Sequence, residues 1–380
     1  MKLQIIDATD SNLWDNFVTS HPESNFLHSW AWGEFHLSRG KQIVRRLAIS
    51  GDKIISAYTG VVETARRGRH LAIAGGPIMD WTDKSLVKLV FKDIAEQGTA
   101  NNCSFVRIRP QLEKTPQNEK LFTSLGLKPA PMYLSVELAG VLDLTKSEEE
   151  ILTGMRQRLR RALRKAEKAN IVVETTTDPS AIHEFYKIQL ETAKRHEFIS
   201  FSEDFLQKQF AAFATHGQAV LYTASVGEEQ DLALPSDLNS RANTPAGGYL
   251  PGEESREKVS NPVLPQSRQV LAQNFMIFFG QEASYHYGVS TELGTKLSGA
   301  PLLHMQAMRD ARARGITRYN FWGIVDENDT NHRFYGVSTF KRGFGVAELR
   351  YLPAHDLVLK PALYRLTKLI ETARRRHRHV

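Results

Sequence analysis

The sequence has little of what defines secreted, membrane-spanning and zinc-binding proteins. One cysteine, Cys103, occurs among 380 residues, which excludes an intrachain disulfide scaffold and a cysteine-rich zinc site. The apolar runs fall far short of the roughly 20 residues that a bilayer-spanning helix needs. The first residues, MKLQIIDATD, contain no apolar stretch of signal-peptide length. We therefore expect a soluble protein of the cytoplasm.

The sequence also lacks the short motifs of common catalytic sites. It contains neither G-x-x-x-x-G-K-[ST] nor G-x-G-x-x-G, the motifs of P-loops and Rossmann dinucleotide sites. It contains neither the G-x-S-x-G of serine hydrolases nor the H-E-x-x-H of zinc proteases. We therefore expect no metal, no cofactor and no side chain that acts as a nucleophile.

The composition is that of a globular protein with a modest excess of positive charge. Hydrophobic residues make up 41% and charged residues 24%, and the net charge is +7. The length exceeds what one core usually serves, so two domains are expected. Seven basic residues cluster in 156–168, and four Arg with two His end the chain after Glu371. Such clusters suit RNA, a nucleotide diphosphate or an anionic membrane, although solvated helix faces have the same pattern.

Hydrophobic periodicity predicts a mixed α/β fold that contains hairpins. Runs at 43–50 and 53–62 predict two strands joined at Gly51-Asp52. The capping box Ser147-x-x-Glu150 predicts a helix over 148–169. Hairpins among the helices fit a doubly wound parallel sheet poorly.

One segment, residues 228–269, breaks this pattern. It is rich in Pro, Ser, Asn, Glu and Gly, so it buries too little apolar surface to offset the entropy of ordering. We expect a flexible exposed loop that joins two paired strands. It is either an inert insertion or a lid or partner-binding arm.

Aromatic residues and glycines cluster in several short segments. The clearest is 339–345, TFKRGFG, in which Lys341 and Arg342 lie between aromatic residues. A lysine in aromatic surroundings is desolvated, which makes it an anion ligand or a tunable acid or base.

Taken together, seven segments resemble the FemX/FemA/FemB family of peptidoglycan interpeptide-bridge aminoacyltransferases. They are 26–33 (FLHSWAWG), 75–80 (GGPIMD), 155–168 (MRQRLRRALRKAEK), 192–198 (TAKRHEF), 285–288 (YHYG), 319–324 (YNFWGI) and 336–345 (GVSTFKRGFG). The order and spacing match along nearly the whole chain, apart from the insertion.

The resemblance implies an α/β fold of two GNAT-like domains with mixed sheets. The first would be 1–141, completed by 352–380, and the second 142–351. Some relatives carry a coiled-coil arm near the position of the insertion. The insertion lacks heptads and contains five prolines, so we expect no such arm.

The resemblance also implies an activity and partners. The family moves an amino acid from aminoacyl-tRNA to the stem-peptide amine of UDP-MurNAc-pentapeptide or lipid II. The expected partners are charged tRNA and that precursor, for a monomer that rests on the anionic inner face of the membrane through its basic tail.

The family's motifs imply roles for individual residues. Lys341 would stabilise the oxyanion or the 3′-terminal ribose and phosphate, and Phe340 would pack on the tRNA acceptor end. Arg195 would bind the diphosphate of the precursor. The alternatives are an exposed Lys341 beside a structural Phe340, and an Arg195 that complements a helix dipole. Further candidates for the cleft are Tyr285, Tyr287, Trp322, Trp30, Trp32 and Asp80.

Two other functions stay open. An acyl-CoA-dependent GNAT N-acyltransferase needs a pyrophosphate-binding turn before a helix, and the nearest segment, 294–299, has a different spacing. A non-catalytic RNA-binding module is supported only by the basic segments.

Overall fold

The computed structural model describes residues 3–65, 68–196, 200–227 and 268–378, and these contain two mixed sheets. The strands are β1 (Leu3–Asp7), β2 (Gln42–Ser50), β3 (Lys53–Ala65), β4 (Gly68–Ala74), β5 (Ile78–Met79), β6 (Phe105–Arg109), β7 (Lys128–Pro129), β8 (Leu138–Asp143), β9 (Val172–Thr176), β10 (Ala219–Gly227), β11 (Arg268–Phe279), β12 (Glu282–Ser290), β13 (Arg318–Gly323), β14 (Ala347–Arg350) and β15 (His355–Val358).

Helices connect and cover these strands. They are α1 (Ser11–Thr19), α2 (Trp30–Ser38), α3 (Lys84–Ala100), α4 (Pro116–Ser124), α5 (Glu148–Gly154), α6 (Gln157–Lys168), α7 (Ile182–His196), α8 (Glu203–Ala214), α9 (Glu292–Leu297), α10 (Gly299–Ala313), α11 (Tyr335–Arg342) and α12 (Pro361–Arg378). Among the described residues, no helix is both long enough and apolar enough to cross a bilayer.

The first sheet has the order β1-β2-β3-β4-β6-β15-β7, with β5 also paired to β3. Within it β4 and β6 are parallel, whereas β1 pairs antiparallel with β2, and β2 and β3 form an antiparallel hairpin. The predicted turn at Gly51 joins β2 and β3, and Gly51 has the positive φ of 61° that favours glycine. The late strand β15 inserts between β6 and β7, so the C-terminal part of the chain completes this sheet.

The second sheet has the order β14-β8-β13-β12-β11-β10-β9. Its β10 and β11 are antiparallel neighbours, which confirms that the insertion joins two paired strands. The insertion itself lies outside the described residues. We propose that the two sheets mark the two domains expected at 1–141 with 352–380 and at 142–351. Because β8 begins at Leu138, the boundary is better placed before that residue.

The predicted helix over 148–169 is wrong in one respect, because it is two helices. Its capping box is present, with Ser147 and Glu150 exchanging both hydrogen bonds. At Met155 and Arg156 the backbone is extended, and the Arg156 N–H donates to Gly343 O at 2.8 Å instead of to its own helix. The Arg160 guanidinium donates to the freed carbonyl of Thr153 at 3.0 Å. A partner nearly 190 residues away in the chain therefore ends α5.

Three apolar clusters hold these layers together. One lies under the second sheet against α10, and another lies under the first sheet against α3. The third joins the two sheets: Trp14, Phe26 and Ile78 from the first part pack with Phe210 and Phe275 from the second. This shared core fixes the two sheets against each other.

A buried ion network attaches α12 to the first sheet. The guanidinium of Arg107 on β6 contacts Asp356 Oδ1 and Glu371 Oε2, each at 2.8 Å, and all three side chains are at most 4% exposed. The Tyr364 hydroxyl donates to Asp356 Oδ2 at 3.2 Å. Because all these charges are paired, the network can stay buried.

The Asp356→Asn variant tests this attachment. The amide places an NH2 donor against the Arg107 guanidinium, so one of the two hydrogen bonds that Asp356 accepts from Arg107 is lost. We expect the free energy of unfolding to fall by about 2 kcal/mol in urea denaturation. The control is Glu96→Gln, which breaks an exposed ion pair of α3 with Lys92. It should change the value by less than about 0.5 kcal/mol. Equal effects of the two substitutions would contradict the network's role.

Candidate functional site

The candidate site lies where β12 and β13 separate. These parallel strands pair only over Glu282–Ser284 and Arg318–Asn320. The buried Glu282 carboxylate ties the paired ends together, accepting hydrogen bonds from Arg318 Nε at 2.8 Å and Asn320 Nδ2 at 3.1 Å. Past these pairs the strands have no mutual ladder, which leaves an opening that side chains must line. We call this feature the β12–β13 opening.

Trp322 and Gly323 end β13 at the opening. The Asn320 Oδ1 accepts the Trp322 N–H at 2.7 Å, and Trp322 has a φ of 63°. A tryptophan in the left-handed region is unusual, and such backbone strain concentrates at functional sites. The turn presents the Gly323 carbonyl to α11.

Lys341 on α11 binds that carbonyl. Its Nζ donates to Gly323 O at 2.7 Å, and only 7% of the residue is exposed. The Nζ lies 5.5 Å from the ring centre of Tyr285. Among the described residues no carboxylate pairs with it, so burial lowers the pKa of Lys341 to about 7. At neutral pH about half of the Lys341 side chains are therefore protonated, and this form is the stronger hydrogen-bond donor.

Phe340 lies beside Lys341 but packs into the second sheet's core. Its ring centre is 5.6 Å from His304 and 5.4 Å from Phe344. His304 is fully buried on α10, and its Nδ1 lies 2.8 Å from the Tyr319 hydroxyl. Burial lowers the pKa of His304 to about 3, so its imidazole is neutral at neutral pH. Phe340 anchors α11, and its contact with a tRNA end stays a prediction.

A β-bulge separates the two tyrosines of the YHYG segment. Phe275 pairs with Tyr287 and Met276 with Tyr285, so His286 is the extra residue. Tyr285 consequently joins the cluster around His304, whereas Tyr287 contacts Phe275 and belongs to the cluster between the sheets. Only Tyr285 lies next to Lys341.

Aromatic rings from both sheets meet beside the opening. The Phe26 ring lies 4.9 Å from Trp322 and 4.9 Å from His286, and 5.8 Å from Trp32. This places Trp32 one ring away from Trp322. Trp30 is partly buried elsewhere on α2, where the Arg45 guanidinium stacks on its ring at 3.8 Å.

The described contacts place Asp80 apart from this cluster and leave Arg195 untested. Asp80 is exposed and accepts hydrogen bonds from Thr82 in a local turn, which lowers the pKa of its carboxyl. Arg195 belongs to α7, but its side chain lies outside the described residues. The Thr192 hydroxyl, one turn earlier, donates to Ser290 O at the end of β12 at 3.4 Å. The placement of Arg195 in the cleft stays a prediction.

A basic surface adjoins α11. Helix α6 begins beside Gly343, as the Arg156 hydrogen bond shows. Leu159, Leu163 and Ala166 are its buried stripe. Its exposed cations are Arg158, Arg161, Arg164, Lys165 and Lys168. An anionic polymer bound along α6 would have one end next to α11, the helix that carries Lys341.

Sequence reasoning missed His304, His286 and Glu282. His304 lies in an apolar helical stripe, and nothing in a single sequence separates a site histidine from a core histidine there.

A groove of about 480 Å³ between α2 and α8, lined in part by Trp30 and His216, contains none of the residues around Lys341. In the described part of the chain, no group of three His, Cys, Asp or Glu side chains is placed to hold a metal.

Comparison with known sequences assigns the family. Residues 9–124, 130–242 and 256–372 match the model of the FemAB family. The chain belongs to the FemAB family. The resemblance read from its motifs is thereby confirmed. The FemAB relatives include the lipid II:glycine glycyltransferase of Staphylococcus aureus strain USA300, which is 21% identical over 94% of this chain and 93% of that protein.

Solved structures agree on the fold of this FemAB protein. The crystal structure of FemX aligns with a TM-score of 0.79 and 18% identity, over 98% of this chain and 100% of that one. A tandem GNAT protein from the clavulanic acid biosynthesis pathway aligns with a TM-score of 0.52 and 9% identity, over 94% and 99%. The predicted α/β fold of two GNAT-like units is confirmed, and the described residues contain no coiled-coil arm.

The pH dependence of stability tests the state of Lys341. Between its folded pKa of about 7 and the ordinary value of about 10.4, the unfolded chain binds more protons, so stability rises with pH. From pH 8 to pH 9 we expect the unfolding free energy of the wild type to rise relative to Lys341→Met by about 1.4 kcal/mol. The control Lys92→Met should follow the wild type. Parallel curves for wild type and Lys341→Met would contradict the lowered pKa.

Proposed function

We propose that this FemAB protein is an aminoacyltransferase that moves an amino acid from aminoacyl-tRNA to the stem-peptide amine of a peptidoglycan precursor. The observation that carries the proposal is the buried Lys341 at the β12–β13 opening, which donates to a backbone carbonyl and pairs with no carboxylate among the described residues. The family and the glycyltransferase named among its relatives support a transferase. That relative's substrate is lipid II, so a lipid-linked acceptor is favoured over UDP-MurNAc-pentapeptide.

The reaction is aminolysis of an ester. The neutral acceptor amine attacks the aminoacyl carbonyl, an N–C bond forms, and the C–O bond to the terminal ribose breaks. Negative charge develops first on the carbonyl oxygen and then on the departing ribose oxygen, which takes up a proton as the amine loses one. Such a reaction needs positioned donors and no nucleophilic side chain.

Lys341 suits this chemistry in two ways. Its protonated form is a donor in a desolvated setting, where a hydrogen bond to an oxyanion is stronger than in water. Its pKa near 7 also suits proton donation to the ribose oxygen at neutral pH. Tyr285 and Trp322 line the same opening, and the proposed roles of Phe340 and Arg195 are contacts with the tRNA end and with the precursor diphosphate.

The exposed cations of α6 support a tRNA donor. They adjoin α11 on the outer surface, where the phosphates of an acceptor stem would lie while its 3′ end enters the opening. Phosphate contacts of this kind position a nucleic acid without reading its sequence. This suits an enzyme that recognises the amino acid at the end of the tRNA.

The acyl-CoA alternative is less well supported by the segment before α10. A pyrophosphate-binding turn offers successive free backbone N–H groups. Here the Gly294 N–H already donates to Thr291 Oγ1 at 3.0 Å, and Pro301 has no N–H. A Cβ on Gly294 would lie 1.8 Å from Leu271 O, so the turn is packed against β11. Stabilisation by CoA in a thermal shift assay would favour this alternative.

The experiment is reconstitution with a pool of charged tRNAs and lipid II, with mass spectrometry of the product. We expect a precursor extended by one amino acid, and a loss of turnover of about 10²-fold in Lys341→Met, because one oxyanion donor is removed. Lys92→Met, on the exposed face of α3, is the matched control and should keep full turnover.

Two results would contradict the proposal. One is an unmodified precursor with every charged tRNA and both precursor forms. The other is wild-type turnover in a folded Lys341→Met. If the protein binds RNA with an affinity that does not depend on the precursor, and forms no product, it is instead a non-catalytic RNA-binding module.

A further inference from the structure

Helix α12 turns its leucines towards solvent. Four large apolar side chains in its first three turns are exposed, and they are Leu363 (53%), Leu366 (57%), Leu369 (70%) and Ile370 (37%). At 100° per residue they fall within an arc of about 120°, so they form one stripe, the α12 apolar stripe. Contiguous exposed apolar surface of this kind marks an interaction site.

The opposite face of α12 holds the helix in this orientation. Tyr364, Thr367 and Glu371 are buried, and they include the only acidic residue of the helix. Glu371 contacts Arg107 at 2.8 Å, and the Tyr364 hydroxyl binds Asp356. A helix stabilised by apolar packing alone would bury its leucines and expose its glutamate. Here the ion network holds Glu371 buried and leaves the leucines exposed.

Cations accompany the stripe. Arg365 and Lys368 are exposed along one side of it, and Arg374 is exposed one turn beyond its end. The sequence continues with further basic residues to Arg378. An amphipathic helix with an apolar stripe and basic flanks lies in the interface of a bilayer, where the stripe enters the acyl region and the cations meet anionic headgroups.

We propose that α12 docks this protein on an anionic lipid bilayer, with the α12 apolar stripe inserted among the acyl chains. The inference deepens the proposed function, since it names the surface through which the enzyme would reach a lipid-linked acceptor. Vesicles without precursor test it separately. Vesicle binding without transfer would overturn only the proposed function, and transfer without vesicle binding only this inference.

The test is co-sedimentation of the full chain with vesicles of phosphatidylcholine alone or mixed with phosphatidylglycerol. We expect binding to the mixed vesicles that weakens with salt, and a loss of about tenfold in the partition coefficient for Leu366→Gln with Leu369→Gln. The matched control, Leu13→Gln with Leu37→Gln, changes two exposed leucines on α1 and α2 and should bind like the wild type.

A charge series separates the headgroup contact from the apolar one. Arg365→Gln with Lys368→Gln should weaken binding to mixed vesicles severalfold and reduce its salt dependence. The control, Lys88→Gln with Lys92→Gln, removes the same charge from α3 and should leave binding unchanged. Helix α3 packs with Val106 of β6 and α12 with its neighbour Arg107, so the two helices cover opposite faces of the sheet.

Each remaining outcome overturns the proposal. A bilayer is excluded as the partner of the α12 apolar stripe if the wild-type protein does not bind the mixed vesicles. It is also excluded if a folded Leu366→Gln/Leu369→Gln variant binds them as tightly as the wild type. Light scattering that shows a dimer in the wild type and a monomer in this variant, without vesicle binding, assigns the stripe to a second copy of the chain.

Discussion

The hydrogen bond from Lys341 to the Gly323 carbonyl is the contact on which the site depends. It places a cation in a buried setting where no described carboxylate neutralises it, next to the tyrosine ring of β12. The cost of desolvation brings its pKa to the range in which the side chain can both donate and accept a proton near neutrality. The carbonyl stands there because the Asn320 side chain and a left-handed Trp322 turn the chain at the end of β13.

The sheets provide the opening, and the rest of the molecule holds it. Glu282 keeps β12 and β13 paired at one end only, and the bulge at His286 turns Tyr285 towards Lys341. The shared core around Phe26 and Phe275 fixes the first sheet beside the opening. Basic α6 and amphipathic α12 then give the molecule two separate outer surfaces, one suited to a polyanion and one to a lipid interface.

Local signals predicted the elements, whereas contacts distant in sequence decided the site. The capping box at Ser147 and the turn at Gly51 could be predicted because their causes lie within a few residues. The break in the helix after Gly154 could not be predicted, because it depends on a hydrogen bond from the Arg156 N–H to Gly343, which is distant in the sequence. Likewise Tyr285 and Tyr287 were both candidates for the cleft, and only the register with β11 reveals the bulge that separates them. The orientation of α12 also depends on a contact distant in the sequence, the ion pair between Glu371 and Arg107.

The most direct measurement of the central claim is affinity labelling of the reacting position. An acceptor-stem RNA can carry an amine-reactive sulfonyl fluoride where the aminoacyl ester would stand, and peptide mass spectrometry then locates the bond. The account predicts that Lys341 is modified, at a rate that rises through pH 7 as its amine loses a proton, because its pKa is about 7. Efficient labelling confined to other lysines, with Lys341 untouched, would contradict it.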